Sequence, residues 1–191
     1  AATSIHAERE IPDFAARYPN LANARLGAEV VSVTDEFFAE RSRLIKAEEA
    51  VFYPDLYDDH GKWMDGWESR RRRSGGNDHA LIKLGGPTVV RAINIDTAFF
   101  TGNYPHAARV MGAYHEGEGL PADAAYRTLV DMSKLGPDAP HWFEVSHAEP
   151  VTHLRLDMYP DGGIARLRVH GIPVSEPTTD ENAVNELSSI L

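Results

Sequence analysis

The run Gly61-Lys62-Trp63-Met64-Asp65-Gly66-Trp67-Glu68-Ser69-Arg70-Arg71-Arg72-Arg73 sets two tryptophans, two carboxylates and two glycines directly before four consecutive arginines. Neither a helical stripe nor a strand alternation accounts for that order. Asp65 and Glu68 are acid–base groups beside guanidinium donors, while Trp63 and Trp67 either wall a pocket or fill a core. A carboxylate next to Trp67 would be partly desolvated, which raises its pKa toward a range useful for proton transfer. The competing reading is a solvated, charged loop pinned by two buried tryptophans, in which Asp65 caps a turn and Glu68 pairs with an arginine. Consecutive residues of an extended chain point oppositely, so only alternate members of Arg70–Arg73 can face one site.

A second polar stretch, Asp96-Thr97-Ala98-Phe99-Phe100-Thr101-Gly102-Asn103-Tyr104, follows an apolar run. Asp96 ends a strand, and loops after strands are a normal place for functional groups. Asn103 can both donate and accept hydrogen bonds. The alternative is a structural loop packed by its two phenylalanines. The nine histidines show no metal-ligand spacing, and His60 and His79 are at most spare acid–base groups near the first stretch. No cofactor motif is present.

These groups need a scaffold. A chain of 191 residues with 42% hydrophobic and 25% charged residues fits one globular domain. A net charge of −10 argues against non-specific nucleic-acid binding and makes Arg70–Arg73 a local cationic site in an acidic protein. There is no cysteine. No apolar run reaches membrane-spanning length and residues 1–10 lack a secretory core, so a cytoplasmic protein is expected.

Residues 1–19 read as an N-terminal arm with a helical turn near Asp13–Arg17, and residues 174–191 as a linker-like tail with weak helical character from Ala183 onward. Between them, strands are expected at 30–33, 80–84, 89–96, 107–114, 142–145, 151–159 and 164–170, with Gly85-Gly86-Pro87 as a turn. Residues 124–135 carry a helical stripe of Tyr126, Leu129 and Met132. Phe37 and Phe38 read as core plugs. Leu154, Leu156 and Met158 share one face of their strand, and Ala165, Leu167 and Val169 oppose Arg166, Arg168 and His170 on the next. Joined through Pro160-Asp161-Gly162-Gly163, the two read as a hairpin with one apolar and one polar face, on which Arg166 belongs either to a ligand site or to a surface salt network. Short strands and Gly/Pro turns together indicate an all-β antiparallel sandwich.

The signature at 61–73 resembles that of the allantoicase family. Three further blocks match in the same order: Asn20–Gly27 running into Thr34-Asp35-Glu36-Phe37-Phe38-Ala39, Asp96–Pro105, and Tyr159–Gly171. The resemblance covers residues 20–173 and implies a galactose-binding-like jelly roll, with a strand near Arg127–Asp131 in place of the helical stripe. Family members look like two tandem copies of this module, so one repeat is expected here, working as a homo-oligomer or with a second repeat. The implied activity is hydrolysis of allantoate to ureidoglycolate and urea, an amidine-type C–N cleavage in purine breakdown. The resemblance makes Glu68, Asp65 and Asp96 candidate catalytic groups. It makes Arg70, Arg71, Asn103, Trp67 and Arg166 candidate substrate ligands, with no metal. The alternatives are a non-catalytic jelly-roll module that binds or scaffolds, or a fragment of a two-repeat allantoicase.

Overall fold

The structure is a computed structural model and describes residues 3–175. The expected helical character after Ala183 lies outside the described residues. Among the described residues, thirteen strands, one short α-helix and three 3-10 helices make up the regular structure. The first part of the chain holds β1 (Ile5–His6), α1 (Asp13–Ala16), β2 (Glu29–Val33), β3 (Val51–Phe52), β4 (Tyr57–Asp58), β5 (Gly61–Lys62) and β6 (Trp67–Glu68). The second part holds β7 (Asp78–Asp96), β8 (Ala107–Ala113), β9 (Arg127–Lys134), β10 (Trp142–Glu144), β11 (Val151–Tyr159), β12 (Gly163–Ile164) and β13 (Arg166–Pro173). Every pairing is antiparallel, and the fold is a β-sandwich with little helix.

The strand β7 joins the two layers. Its first half is flanked by β2 and β11, with β8 and β9 continuing beyond β11. Its second half is flanked by β13 and β10. The expected turn at Gly85-Gly86-Pro87 therefore does not break the strand. Those residues fall between the register with β2, which ends at Lys83, and the register with β13, which begins at Thr88. Proline's missing N–H costs nothing where no ladder bond is needed. Alternation changes phase further along the strand, at Arg91. Ala80, Ile82, Leu84 and Val90 are buried in the core, then Ile93 and Ile95, with the shift at the bulge opposite His170/Gly171.

The hairpin expected from residues 151–170 is a second correction. β11 pairs with β7 and β8, whereas β13 pairs with β7 and bridges to Asn20, not to β11. The intervening turn instead gives β12, which pairs with β6. The apolar set Leu154, Leu156, Met158, Leu167 and Val169 is fully buried in one core cluster, as alternation required. The polar face of β13 is buried too. Arg166, Arg168 and His170 are covered by residues 46–49 and by the N-terminal arm, where Tyr18 O bonds His170 Nδ1 at 2.7 Å. A strand follows at Arg127–Lys134, and only Asp123–Ala125 forms a 3-10 turn, so the helical stripe was accidental. Phe37 is exposed and Phe38 half-buried, which overturns their reading as core plugs: both lie on the rim of open clefts.

Candidate active site

Glu68 is held at one end of the sandwich by backbone on both sides. It pairs with Gly163 through β12 and forms an isolated bridge with Ala39, to whose carbonyl its N–H donates at 3.1 Å. Its neighbour Trp67 is fully buried in the main core and donates its indole N–H to Asp35 O at 2.8 Å. Trp67 thus anchors β6 and does not wall a pocket. The side chain of Glu68 is 7% exposed and accepts a 2.8 Å hydrogen bond from Asn103 Nδ2. The signature stretch and the Asp96–Tyr104 loop therefore meet.

Glycine makes that meeting possible. Gly163 N–H donates to Asn103 O at 2.7 Å. A Cβ on Gly163 would fall 1.9 Å from the Phe100 ring, and one on Gly162, which has φ +123°, would fall 2.6 Å from Asn103 O. Only glycine permits this approach. On the far side Phe99 adopts φ 68° while its N–H donates to Asp138 Oδ1 at 2.8 Å. A bulky residue in the left-handed region is strained, and such strain clusters at functional sites.

Glu68 and Asn103 open onto a cavity of about 510 Å³. Phe38, Phe52 and Phe99 supply its apolar walls, while His60, Lys62, Thr101 and Asp138 add polar groups. The β4–β5 hairpin delivers His60 and Lys62. Phe52 and Phe99 stack 5.5 Å apart, Lys62 Nζ lies 5.5 Å from the Phe52 ring, and His60 stacks on Phe37 at 4.1 Å. Burial pushes the Glu68 carboxyl up to about 7; the Asn103 bond opposes this, and the charge of Asp58 adds to it. Burial is the largest of the three.

The other candidates sit elsewhere. Asp65 lies in a buried cluster, accepting from Arg166 Nη2 at 2.8 Å, Lys46 Nζ at 2.9 Å and Val51 N at 3.0 Å. Burial alone would raise its pKa, but Arg166 and Lys46 together hold it below the usual value. Arg166 is 1% exposed and spends its donors on Asp65, Glu48 O and Ala165 O. It is neither on a solvated face nor in the cavity. Asp96 is buried against the arm, clamped by Arg9 through bonds of 2.8 and 3.1 Å, and accepts from Ala98 N. None of these three lines the Glu68 cavity.

Arg70 and Arg71 line a neighbouring cleft that shares Phe38 with the cavity. Arg70 pairs with Asp35 at 3.0 Å and lies over the Phe37 ring, so the stack Arg70–Phe37–His60 runs along the ridge between the two depressions. Sequence reasoning noted His60 but missed Lys62, Thr101 and Asp138. Lys62 and Thr101 stood inside stretches already singled out, whereas Asp138 had no local signal. Among the described residues, no group of three or more His, Asp or Glu is arranged to hold a metal ion.

Known proteins fit this picture. The description "Allantoicase repeat" matches residues 19–174. The probable allantoicase of Ralstonia nicotianae is 54% identical over 163 residues, covering 85% of this chain and 48% of that protein. That of Acinetobacter baylyi is 43% identical over 181 residues, covering 94% and 54%. The chain spans about half the length of these curated relatives. Among solved structures, allantoicase from Saccharomyces cerevisiae superposes with a TM-score of 0.68 at 34% identity, covering 81% of this chain and 48% of that one. The C-terminal domain of a Bacteroides fragilis chitobiase superposes with a TM-score of 0.56 at 14% identity, covering 82% of this chain and all of that one, a likeness of fold alone. The match to the allantoicase repeat over residues 19–174, on a β-sandwich that superposes on a solved allantoicase, places this chain in the allantoicase family.

Proposed function

We propose that the Glu68 cavity takes allantoate, a carboxylate whose α-carbon carries two ureido groups, and releases urea from it. The observation that carries this reading is a buried carboxyl with its pKa near 7, hydrogen-bonded to Asn103 at the wall of a cavity of suitable size. In its acid form Glu68 protonates the departing ureido nitrogen as the bond to the α-carbon breaks. The lone pair of the retained ureido nitrogen fills the vacated position and leaves an iminium carbon. Water adds to that carbon and returns a proton to the Glu68 carboxylate, giving ureidoglycolate. Asn103 and Thr101 suit the ureido N–H and C=O groups, and Lys62 is the cation available to the substrate carboxylate. Asp65, Asp96 and Arg166 then act as structure around the site. Trp67 holds β6 in place.

No helix among the described residues is long and apolar enough to cross a membrane, and a cytoplasmic setting suits a cysteine-free chain. We further infer self-association. Leu26 and Val174 are exposed in a groove with Leu21, Pro87 and Pro173, and Ile172 is exposed beside it. The deciding experiment for the activity is incubation of the pure chain with allantoate while urea is measured. Urea should appear and should vanish in Glu68→Gln with allantoate binding kept. Binding without any urea from the unaltered chain would make the module a binder and end the enzymatic reading.

A further inference from the structure

The four arginines remain to be explained. They line a cleft of about 710 Å³ together with Thr34, Asp35, Phe38 and Asp78, separate from the Glu68 cavity but sharing its Phe38 wall. Two of them are occupied. Arg70 pairs with Asp35, and Arg72 donates to Gly75 O and to Asp78 Oδ1. The guanidinium groups of Arg71 and Arg73 make no hydrogen bond or ion pair among the described residues. In a chain of net charge −10 these two exposed cations stand two residues apart on the same cleft. A second observation is independent of them. Asp78 is completely buried and lines the same cleft; its Oδ1 accepts from Thr34 and Arg72, but its Oδ2 has no hydrogen-bond partner. That oxygen has almost no accessible surface, so Asp78 gives the cleft wall its negative charge rather than an open acceptor.

We propose that this cleft is a second ligand site, taking a small carboxylate that itself carries N–H or O–H donors. The carboxylate bridges the free guanidinium groups of Arg71 and Arg73, whose planar forks match it. A donor on the same molecule lies against the acidic wall that Asp35 and Asp78 give the cleft. A ureido or hydroxy acid has both features. Phosphate fits less well, because Asp35 and Asp78 line the cleft and repel a dianion. The proposal stands whether or not Glu68 works as an acid.

Nitrogen-15 NMR separates the two sites in the intact chain: backbone amides of Arg71, Arg73 and Ser74 report the cleft, and the Asn103 side-chain amide reports the cavity. Ureidoacetate, acetate, urea and inorganic phosphate are the probes. Ureidoacetate should move the cleft signals at a concentration at least tenfold below acetate or phosphate, and urea should not move them. The double variant Arg71→Ala/Arg73→Ala, altered only at exposed side chains, should lose that response while Asn103 still shifts. Equal response to acetate overturns the role of Asp78. Equal or tighter response to phosphate overturns the carboxylate assignment, and silent cleft signals overturn the site. Movement of the cleft alone, with Asn103 silent, upholds this site and counts against the cavity.

Discussion

At the scale of the residue, Glu68 is set by three opposed influences. Burial raises its pKa most, the Asn103 bond lowers it, and Asp58 raises it. The acid form prevails below about pH 7, so kcat/KM for urea release should fall as pH rises through that value. Asn103→Ala removes the lowering influence and should move the midpoint up, whereas Asp58→Asn should move it down. A pH–rate profile in which both variants shift the same way would refute this assignment. The same displacement has a thermodynamic side. A carboxyl raised from 4.5 to about 7 on folding binds its proton more tightly in the native state. The stability it contributes is full below pH 4.5 and lost as pH rises through 7, by about 3 kcal/mol for a shift of that size. Glu68→Gln should therefore melt above the parent at pH 8 and lose that advantage at pH 4. Identical differences at both pH values would show that desolvation does not set the Glu68 pKa.

At the scale of the element, the buried pair Arg166–Asp65 ties β13 to the stretch before β6. Removing Arg166 leaves buried Asp65 with only Lys46 and the Val51 N–H, so Arg166→Met should cost about 3 kcal/mol in urea unfolding, and adding Asp65→Leu should restore more than half of that. A double variant no more stable than the single would mean that packing, not charge, is at stake. Gly163→Ala should cost about 1–3 kcal/mol, because its Cβ meets the fully buried Phe100 ring, and should weaken ligand binding by displacing Asn103. Much of this layer was legible in the sequence. Alternation in Val151–Tyr159 and in Leu167 and Val169 located the main core, and Ala165 a second buried cluster, because a two-residue period needs only local information. Pairing partners were not legible. The two strands looked like a hairpin, yet each pairs with β7, and the arginines of β13 are satisfied largely by backbone carbonyls of residues 46–48. Carbonyls carry no side-chain signature. The cavity was half legible for the same reason. Glu68 and Asn103 stood in unusual polar stretches, whereas Asp138 reaches the site only through tertiary contact, and Arg9 marks Asp96 as structural from 87 residues away.

At the scale of the whole molecule, the Glu68 cavity draws on well-separated stretches of one repeat, from Phe38 to Asp138. The groove with Leu26 and Val174 shares no residue with it. These facts separate two questions that a repeat protein usually confounds: whether copies associate, and whether association makes the site. Leu26 is 51% exposed, Ile172 40% and Val174 37%, an apolar edge that water does not favour leaving open. Sedimentation should show the sedimentation coefficient rising with protein concentration, and Leu26→Asp should suppress the rise by placing a charge where two copies would meet. Urea release per chain should stay the same in that variant and should not depend on protein concentration. A single species at all concentrations would remove the case for association. Activity per chain that climbs with concentration and collapses in Leu26→Asp would instead show that a second copy completes the site, and that the cavity lined within one chain is not sufficient for turnover.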